Sequence, residues 1–240
     1  MNYYIGIDLG TSSCKGILLN RNGAVLADHS VNYPVSTPYT NWSEQDPADW
    51  YKATVEILKV LSEGREESVK GVGIAGQMHG LVMLDEAGNV LRPSIIWCDQ
   101  RTAAECDQIH EIVGRDQLIS ITANPALTGF TLSKLLWVRN HEPEVYAKCR
   151  HILLPKDYVR YMLTGDFATE VSDASGMQML DVPNRCWSEK LLNMLNIDPS
   201  LLAKVYESCE VTGHISKAAA ELTGLSEDTL VVGGAGDNAA

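Results

Sequence analysis

The chain begins with a short apolar segment that runs directly into an acidic residue and then a turn rich in glycine and hydroxyl groups. The segment reads Tyr4-Ile5-Gly6-Ile7-Asp8-Leu9-Gly10-Thr11-Ser12-Ser13-Cys14-Lys15. A strand that ends at a carboxylate places that group where a sheet meets solvent, and the following glycine lets the backbone turn tightly and approach a ligand. The pattern therefore predicts a strand, a tight turn and a second strand at the start of the fold.

The chemistry of this turn suits a phosphate and a metal ion. Asp8 is predicted to hold a hydrated divalent cation, because magnesium is usually bound by one or two carboxylates together with substrate phosphates. The residues predicted to receive phosphate oxygens, through amides, hydroxyls and one ammonium, are Gly10, Thr11, Ser12, Ser13 and Lys15. The alternative is an ordinary hairpin whose glycine and serines only make the turn. The density of the Asp-x-Gly-Thr-x-Ser pattern favours the phosphate site.

Length and charge narrow the class of protein. The chain has 240 residues, 45% of them hydrophobic, and no apolar run long enough to cross a bilayer, which predicts a soluble globular domain. Nineteen Lys and Arg residues against 31 Asp and Glu residues leave a net charge of -12, so nucleic acid and anionic membranes are poor partners. The first residues carry no basic segment ahead of the apolar one, and we expect a cytoplasmic protein.

The order of elements predicts a mixed α/β domain. Residues 3–8, 14–19 and 24–30 form three strands that we expect to pair as an antiparallel meander, and Asp46 and Pro47 begin a helix that continues to about Gly64. Further strands are predicted at 69–75, 81–84 and 229–233, with helices after residue 97 and near 131–140, 156–163 and 187–195. Residues 233–240 read as a glycine turn and the start of a helix, so we expect the natural protein to be longer.

Two loops carry residue types that bind sugars. Gln77, Met78 and His79 lie between two glycines in a connection between strands, where binding residues concentrate, although a histidine in a turn is often structural and a methionine often fills a core. Trp97, with Asp99 and Arg101 after it, offers an indole face to the apolar side of a sugar and charged partners to its hydroxyls. The alternative for the second loop is that Asp99 caps a helix and Arg101 pairs with a glutamate four residues on.

The last segment supplies a candidate general base. Asp237 follows a strand and a glycine turn, a geometry that projects a carboxylate into a cleft at the end of a sheet, and the adjacent Asn238 can hold a neighbouring hydroxyl. Asp237 can also act as a helix N-cap, which is compatible with the catalytic role.

Taken in this order, the motifs resemble the N-terminal half of the FGGY carbohydrate kinases. Residues 129–141 resemble a signature of that family, with Lys134 and Trp137 at its fixed positions, and the stretch containing Asp173-Ala174-Ser175 resembles another. The resemblance implies a ribonuclease H-like α/β fold of the actin, Hsp70 and sugar kinase superfamily, with a mixed five-stranded sheet whose first three strands are antiparallel. It also implies that residues 1–240 form the sugar-binding N-terminal domain, and that an ATP-binding C-terminal lobe lies outside this sequence.

Within the family the loops are most similar to those of the xylulokinases, which implies phosphorylation of D-xylulose with ATP and Mg²⁺. Asp237 would take the proton from the sugar hydroxyl, Asp8 would act at the metal, and the two loops and Asn238 would hold the sugar. The sequence departs from the family pattern at Ala235, where a glycine is usual, and at Cys98, where an asparagine is frequent. Without the second lobe, we expect the chain alone to be nearly inactive.

Other functions remain open on the sequence alone. A different acceptor within the family, such as L-ribulose, gluconate or glycerol, differs only in loop details. A non-catalytic sugar-binding module on the same fold is the alternative of another class, although binding alone needs no carboxylate at the reacting hydroxyl. Family members often form homodimers, so a homodimer is a further expectation of the resemblance.

Overall fold

A computed structural model describes residues 2–240 of the chain. In chain order its strands are β1 Tyr3–Leu9, β2 Ser13–Asn20, β3 Val25–Asn32, β4 Glu44–Gln45, β5 Val69–Gly76, β6 Val82–Leu84, β7 Ser94–Ile95, β8 His151–Leu153, β9 Ala168–Glu170, β10 Leu180–Asp181, β11 Cys186–Trp187, β12 Lys204–Tyr206, β13 Val211–His214, β14 Leu230–Val232 and β15 Ala235–Gly236.

The α-helices alternate with these strands along the chain. They are α1 Pro47–Ser62, α2 Ala103–Val113, α3 Arg115–Thr122, α4 Thr131–His141, α5 Pro143–Lys148, α6 Pro155–Thr164, α7 Val171–Ser175, α8 Glu189–Leu195 and α9 Lys217–Thr223. Short 3₁₀ turns lie at Glu66–Ser68 and Pro199–Leu201. Within residues 2–240, no helix combines the length and apolar composition that a bilayer crossing requires.

The main sheet has the order β13-β14-β5-β1-β2-β3, and β15 also pairs with β5. The meander predicted from the sequence is confirmed, since β1 pairs antiparallel with β2 and β2 antiparallel with β3. By contrast, β5 runs parallel to β1, and β14 and β15 run parallel to β5. Parallel strands require crossover connections, and helices supply them.

The prediction of a five-stranded sheet was wrong, because the sheet has seven strands. Of the six strands predicted along the chain, five belong to this sheet as β1, β2, β3, β5 and β14, whereas β6 pairs with β8 outside it; the two additional strands are β13 and β15. β13 is an edge strand that begins at an exposed valine, and β15 is only two residues long, so neither carries the apolar alternation that announces a strand. β14 and β15 pair with successive parts of β5 and form one strand interrupted at Gly233 and Gly234.

Helix α1 follows from its local sequence and covers one face of the sheet. The Asp46 side chain accepts a hydrogen bond from the Ala48 amide, and Pro47 occupies the first turn, where no amide partner is needed. Trp50, Ile57 and Leu58 are buried in a core that also contains the inward residues of β1, β2 and β5. This packing is close, because a Cβ added at Gly16 of β2 would lie 2.2 Å from the Ile57 side chain.

A second core lies in the helical part of the chain. It joins α2, α4 and α8 around buried leucines and Trp137, with short strand pairs such as β6 with β8 at its border. Residues 237–239 form a turn, whereas the sequence predicts the beginning of a helix there. The loops that follow β5 and β7 connect the two cores, since Ile74 and Ile96 belong to the first core and Leu81 and Ile95 to the second, and these loops carry the candidate site.

Candidate active site

Three polar segments meet because the carboxyl ends of three parallel strands lie side by side. Gly76 at the end of β5 is in register with Leu9 of β1 and with Gly236 of β15. The Gln77 amide donates to the Leu9 carbonyl at 2.8 Å, and the Asp237 amide donates to the Gly76 carbonyl at 2.9 Å. Crevices at the carboxyl ends of parallel strands are the usual ligand sites of such sheets.

Neutral side chains fix the Asp8 turn, residues 8–13, by hydrogen bonds to its backbone carbonyls. The Gly10 carbonyl accepts hydrogen bonds from the Tyr33 hydroxyl and from Gln77 Nε2, and the Thr11 carbonyl accepts one from Gln45 Nε2 at 2.8 Å. These bonds turn carbonyl oxygens, which would repel a phosphate, toward protein donors. The Asp8 and Ser12 side chains remain exposed, and Thr11 and Ser13 are partly so.

Gln77 belongs to this support and does not line the sugar cavity. Its side chain is buried, and Nε2 also donates to Gln45 Oε1 at 2.8 Å. Gln45 in turn accepts from the Trp50 indole in α1. The amide chain from α1 through Gln45 and Gln77 to Gly10 therefore orients the Asp8 turn, and direct contact between Gln77 and a sugar stays a prediction.

Five of the predicted sugar-site residues line one cavity of about 240 Å³: Met78, His79, Trp97, Asp237 and Asn238. Asp237 and Asn238 are exposed, whereas Met78 and His79 are half-buried. A cavity of this size, bordered by an indole, an imidazole, an amide and a carboxylate, suits a small polyhydroxylated molecule.

The His79 loop is shaped by tight contacts. His79 has a positive φ of 68°, and its carbonyl accepts hydrogen bonds from Lys134 Nζ at 2.8 Å and from the Thr131 hydroxyl at 3.1 Å. Its ring lies against Phe130, with centroids 4.1 Å apart. A Cβ added at Gly176 would lie 2.5 Å from the same ring, so the imidazole is enclosed on two sides.

The hydrogen bond of His79 determines its tautomer. Nδ1 lies 3.0 Å from the Gly176 carbonyl, and because a carbonyl can only accept, Nδ1 carries the proton. Burial lowers the pKa of His79, and Lys134 lowers it further, while the Gly176 carbonyl and Asp237 oppose the shift. The ring is therefore neutral near pH 7, and Nε2 is an acceptor for a ligand hydroxyl.

Trp97 connects the sugar cavity to the Asp8 turn. Its indole is 47% exposed, which leaves a face free for a ligand, and its Nε1 donates to Thr11 Oγ1 at 2.9 Å. Behind it, a Cβ added at Gly129 would lie 2.7 Å from the Trp97 carbonyl, so this loop is packed closely against residue 129. The two predicted binding regions are joined by this single side chain.

Asp99 and Arg101 lie outside the cavity, buried behind Trp97. The two side chains form a bidentate ion pair, with Arg101 NH2 2.7 Å from Asp99 Oδ2, and the guanidinium also contacts Glu44 at 2.8 Å and stacks on Trp42. Asp99 Oδ2 accepts the Ser43 amide as well. Sugar contact by these two residues stays a prediction that this arrangement does not support.

The two alternatives considered for them are not observed either. Thr102 is the N-cap residue of α2, and Arg101 pairs with Asp99 and Glu44 rather than with Glu105.

The Asp237 turn, residues 233–238, depends on one glycine in particular. Gly234 has a φ of +81°, and a Cβ there would lie 1.9 Å from the Ile74 carbonyl oxygen. Ala235, in contrast, belongs to β15 and pairs with Ala75. The departure from the family glycine at position 235 therefore falls in extended backbone, which any residue can adopt.

The charge of Asp237 acts on Asp8. Burial raises the pKa of Asp8, and the negative charge of Asp237 raises it further, while Lys15 lowers it. Lys15 is the register partner of Asp8 across the β1–β2 pair. Asp8 and Lys15 line a second groove of about 380 Å³ that extends along the sheet to Gly234 and Ala235. Asp237 lines the cavity with His79 and Trp97, and the groove on the Asp8 side reaches the residues just before Asp237.

Some residues of the site carry no clear signal in the sequence. Phe130 and Gly176 enclose His79; Phe130 lies in the family signature at 129–141 and Gly176 directly follows the Asp173-Ala174-Ser175 stretch, but neither role could be predicted. The Thr11 to Trp97 bond links residues 86 positions apart, and no local pattern predicts it.

Comparisons with known proteins agree on one family. Residues 3–240 match the FGGY family of carbohydrate kinases, N-terminal domain. A xylulose kinase from Escherichia coli (strain K12) is 45% identical over 238 residues, covering 99% of this chain and 49% of that protein. The structure of xylulose kinase from Rhodospirillum rubrum superimposes with a TM-score of 0.94 at 30% identity, covering 99% of this chain and 49% of the other.

A second solved structure has a different printed activity. Gluconate kinase from Lactobacillus acidophilus superimposes with a TM-score of 0.93 at 28% identity, covering 98% of this chain and 48% of that one. The chain spans about half the length of the relatives it matches. These neighbours are sugar kinases of the actin and Hsp70-like fold, so the fold expected from the sequence is confirmed apart from the number of strands. The chain belongs to the FGGY family of carbohydrate kinases, in which it corresponds to the N-terminal domain.

Proposed function

We propose that this chain is the sugar-binding lobe of an ATP-dependent kinase whose acceptor is D-xylulose. The observation that supports this most is the 240 Å³ cavity, which brings Asp237 next to Met78, His79 and Trp97. Relatives at 45% identity are xylulose kinases, and that identity extends over nearly the whole chain.

In the proposed reaction, Asp237 is the general base. A terminal hydroxyl of the sugar attacks the γ-phosphorus of ATP, its proton passes to the Asp237 carboxylate, and the bond between the γ-phosphorus and the β,γ-bridging oxygen breaks to release ADP. Neutral His79 accepts a hydrogen bond from another sugar hydroxyl, Asn238 holds a third, and the Trp97 face packs on the carbon chain. Catalysis of this kind consists mostly of positioning and electrostatics.

The Asp8 turn is proposed to receive the phosphates. Its hydroxyls at 11–13 and the Lys15 ammonium are donors for phosphate oxygens, and its carbonyls are already occupied by Gln45, Gln77 and Tyr33.

The residues also fit a magnesium ion. Among residues 2–240, no group of three or more His, Cys, Asp or Glu is arranged to hold a metal, so Asp8 would share such an ion with water and phosphate oxygens, as is usual for magnesium. The ion would neutralise charge on the transferring phosphate. Its proximity would also offset the repulsion between Asp8 and Asp237 that raises the pKa of Asp8.

We propose that a second lobe completes the nucleotide site. Because the chain covers about half of its relatives, the 240 residues alone are expected to bind the sugar but to turn it over at a small fraction of the full-length rate. A coupled ADP assay that compares the chain with the full-length protein tests this. Family-like turnover by the chain alone would contradict it.

The substrate is tested by calorimetric titration of the chain with D-xylulose, L-ribulose, gluconate and glycerol. Selective binding of D-xylulose that is lost in His79→Ala is the expected result. The Asp237→Asn variant of the full-length protein should keep sugar affinity and lose turnover by about 10²- to 10⁴-fold, because an amide cannot take the proton.

Gluconate is the second candidate acceptor, because a gluconate kinase superimposes as well as the xylulose kinases do. Preference for gluconate in the same titration would replace D-xylulose as the substrate and leave the mechanism unchanged. Sugar binding with full turnover retained in Asp237→Asn would overturn the role of Asp237.

A further inference from the structure

Four ionisable side chains lie together behind the Asp237 turn, and the proposed reaction uses none of them. This buried charge cluster consists of Lys156, Asp157, Glu170 and Asp173, each at most 1% exposed. Lys156 Nζ lies 2.9 Å from Asp157 Oδ1, 3.4 Å from Glu170 Oε1 and 3.6 Å from Asp173 Oδ2. One ammonium facing three carboxylates is a costly arrangement, because desolvation of buried ions often exceeds their attraction. A contribution to stability alone therefore explains it poorly.

Glu170 is the centre of the cluster. Oε1 accepts hydrogen bonds from the Asp173 amide at 2.9 Å and from Ser172 Oγ at 2.8 Å, and Oε2 accepts from the Ser172 amide at 2.8 Å and from Ser208 Oγ at 2.7 Å. These bonds cap the start of α7. Burial opposes ionisation, but Lys156 and the hydrogen bonds outweigh it and lower the pKa of Glu170. Glu170 is thus ionised, and each of its two carboxylate oxygens accepts two hydrogen bonds.

The same residues support the Asp237 turn. Ser172 Oγ accepts the Gly236 amide at 3.2 Å, the Ser208 carbonyl accepts the Gly234 amide at 3.0 Å, and Lys156 Nζ lies 3.4 Å from the Gly233 carbonyl. Each contact involves a residue bonded to Glu170. The turn is therefore attached to these residues at three points, Gly233, Gly234 and Gly236.

The contact is also sterically close. A Cβ added at Gly233 would lie 3.2 Å from the Glu170 Cβ and 2.9 Å from the Glu207 carbonyl oxygen. Because two glycines leave this segment with unusual backbone freedom, its orientation depends on such external contacts. The exposed Asp237 carboxylate itself accepts a hydrogen bond from the amide of its chain neighbour, Asn238, at 2.9 Å.

We propose that Glu170 is a positioning residue for Asp237, acting through Ser172 and Ser208 to hold the turn that presents the base to the sugar hydroxyl. The inference rests on the proposed function, and it assigns a role to the buried charge cluster, for which the mechanism has no other use. A displacement of about 1 Å in a reacting group can cost about 100-fold in rate, so loosening this support should reduce kcat.

The test uses Ser172→Ala and Glu170→Gln in the full-length protein. Their matched controls are Ser62→Ala and Glu105→Gln, which alter a buried serine of α1 and a buried glutamate of α2 away from the turn. We expect kcat to fall by about tenfold in Ser172→Ala and about 100-fold in Glu170→Gln, with the KM for sugar within about twofold of wild type. The controls should keep kcat within about twofold.

The pattern of kcat and KM distinguishes positioning from general weakening of the fold. A Ser172→Ala variant whose kcat matches that of Ser62→Ala would overturn the proposal, as would a loss of kcat accompanied by an equal loss of sugar affinity. If Glu170→Gln does not fold, Ser172→Ala decides alone. Asp237→Asn separates the two hypotheses: full activity in that variant refutes the proposed function, whereas an inactive Asp237→Asn beside a fully active Ser172→Ala refutes only the positioning role.

Discussion

The Asp8 turn and the Asp237 turn lie at the ends of β1 and β15, which flank β5 on its two sides, but the two turns are stabilised by different chemistry. Neutral side chains hold the first, through amide and hydroxyl hydrogen bonds from Gln45, Gln77 and Tyr33. Buried ions hold the second, through Lys156 and the serines that Glu170 binds.

Because of this difference, the two turns should respond differently to single substitutions. A neutral hydrogen bond contributes roughly 1 kcal/mol, and its loss leaves the rest of the turn in place. In a buried ion network, removing the group that compensates the other charges, here Lys156, leaves unpaired charge at a cost of about 3–5 kcal/mol. The Asp237 turn should therefore respond more steeply to single substitutions than the Asp8 turn.

The steepest response is expected from Gly234→Ala. The added Cβ would approach the Ile74 carbonyl oxygen to 1.9 Å at a φ of +81°, so the turn must move. We expect a loss of about 2–4 kcal/mol in unfolding free energy and a fall of about 100-fold in kcat, measured by chemical denaturation and by the coupled assay.

The matched control is the neighbouring Ala235→Gly, in the extended strand β15. It should cost only about 0.5–1 kcal/mol and leave kcat within about twofold. Equal effects at the two positions would contradict the view that a specific backbone conformation at Gly234 sets the turn.

Lys134→Met should have the next largest effect, on sugar affinity. Lys134 Nζ holds the carbonyls of His79 and Gly129 together, at 2.8 and 2.7 Å, and burial lowers its pKa to about 7. Removing it frees the His79 loop, and we expect Kd for the sugar to rise by about tenfold or more in calorimetry. The exposed Lys52→Met serves as the charge control, and an unchanged Kd in Lys134→Met would show that the loop needs no such clamp.

A smaller effect should appear where the two turns are joined. Trp97→Phe keeps an aromatic face but removes the bond to Thr11 Oγ1, and Thr11→Val removes it from the other side. A double-mutant cycle on sugar binding should give a coupling of about 0.5–1.5 kcal/mol. Additive effects would mean that the two turns act independently despite this contact.

The smallest effect should be a pH dependence of stability and of sugar affinity that arises from His79. Since the folded pKa of His79 lies below 6.5, the unfolded chain binds more protons in the interval between the two values. Unfolding free energy should therefore fall as the pH drops below 6.5, and sugar affinity should fall once the ring is protonated and Nε2 can no longer accept.

Titration of stability and of Kd between pH 5 and 8 measures both effects. His79→Gln should abolish the fall in affinity below pH 6.5 and reduce the fall in stability, to which the partly buried ring of His151 also contributes. A rise in affinity at low pH would contradict the assigned tautomer and the acceptor role of Nε2.

Much of the fold could be predicted from the sequence, because it depends on local signals. The turn residues Asn22-Gly23 and the alternating apolar residues mark the meander. Asp46 with Pro47 marks the start of α1, which ends two residues before Gly64, its predicted end. The strand β15 could not be predicted, since two residues carry no periodicity and pair only because β5 is already present.

The candidate site divides in the same way. The sequence by itself determined that Asp8 lies at the end of a strand and that Gln77 and Asp237 follow strands, and parallel pairing then brings such residues to one edge. Only the tertiary structure decided that Asp99 and Arg101 lie behind the cavity and that Lys156 and Glu170 support the turn beside it. The physical reason is that a charged residue type looks the same in a sequence whether it faces a ligand or a distant partner, and burial depends on segments that only the fold brings together.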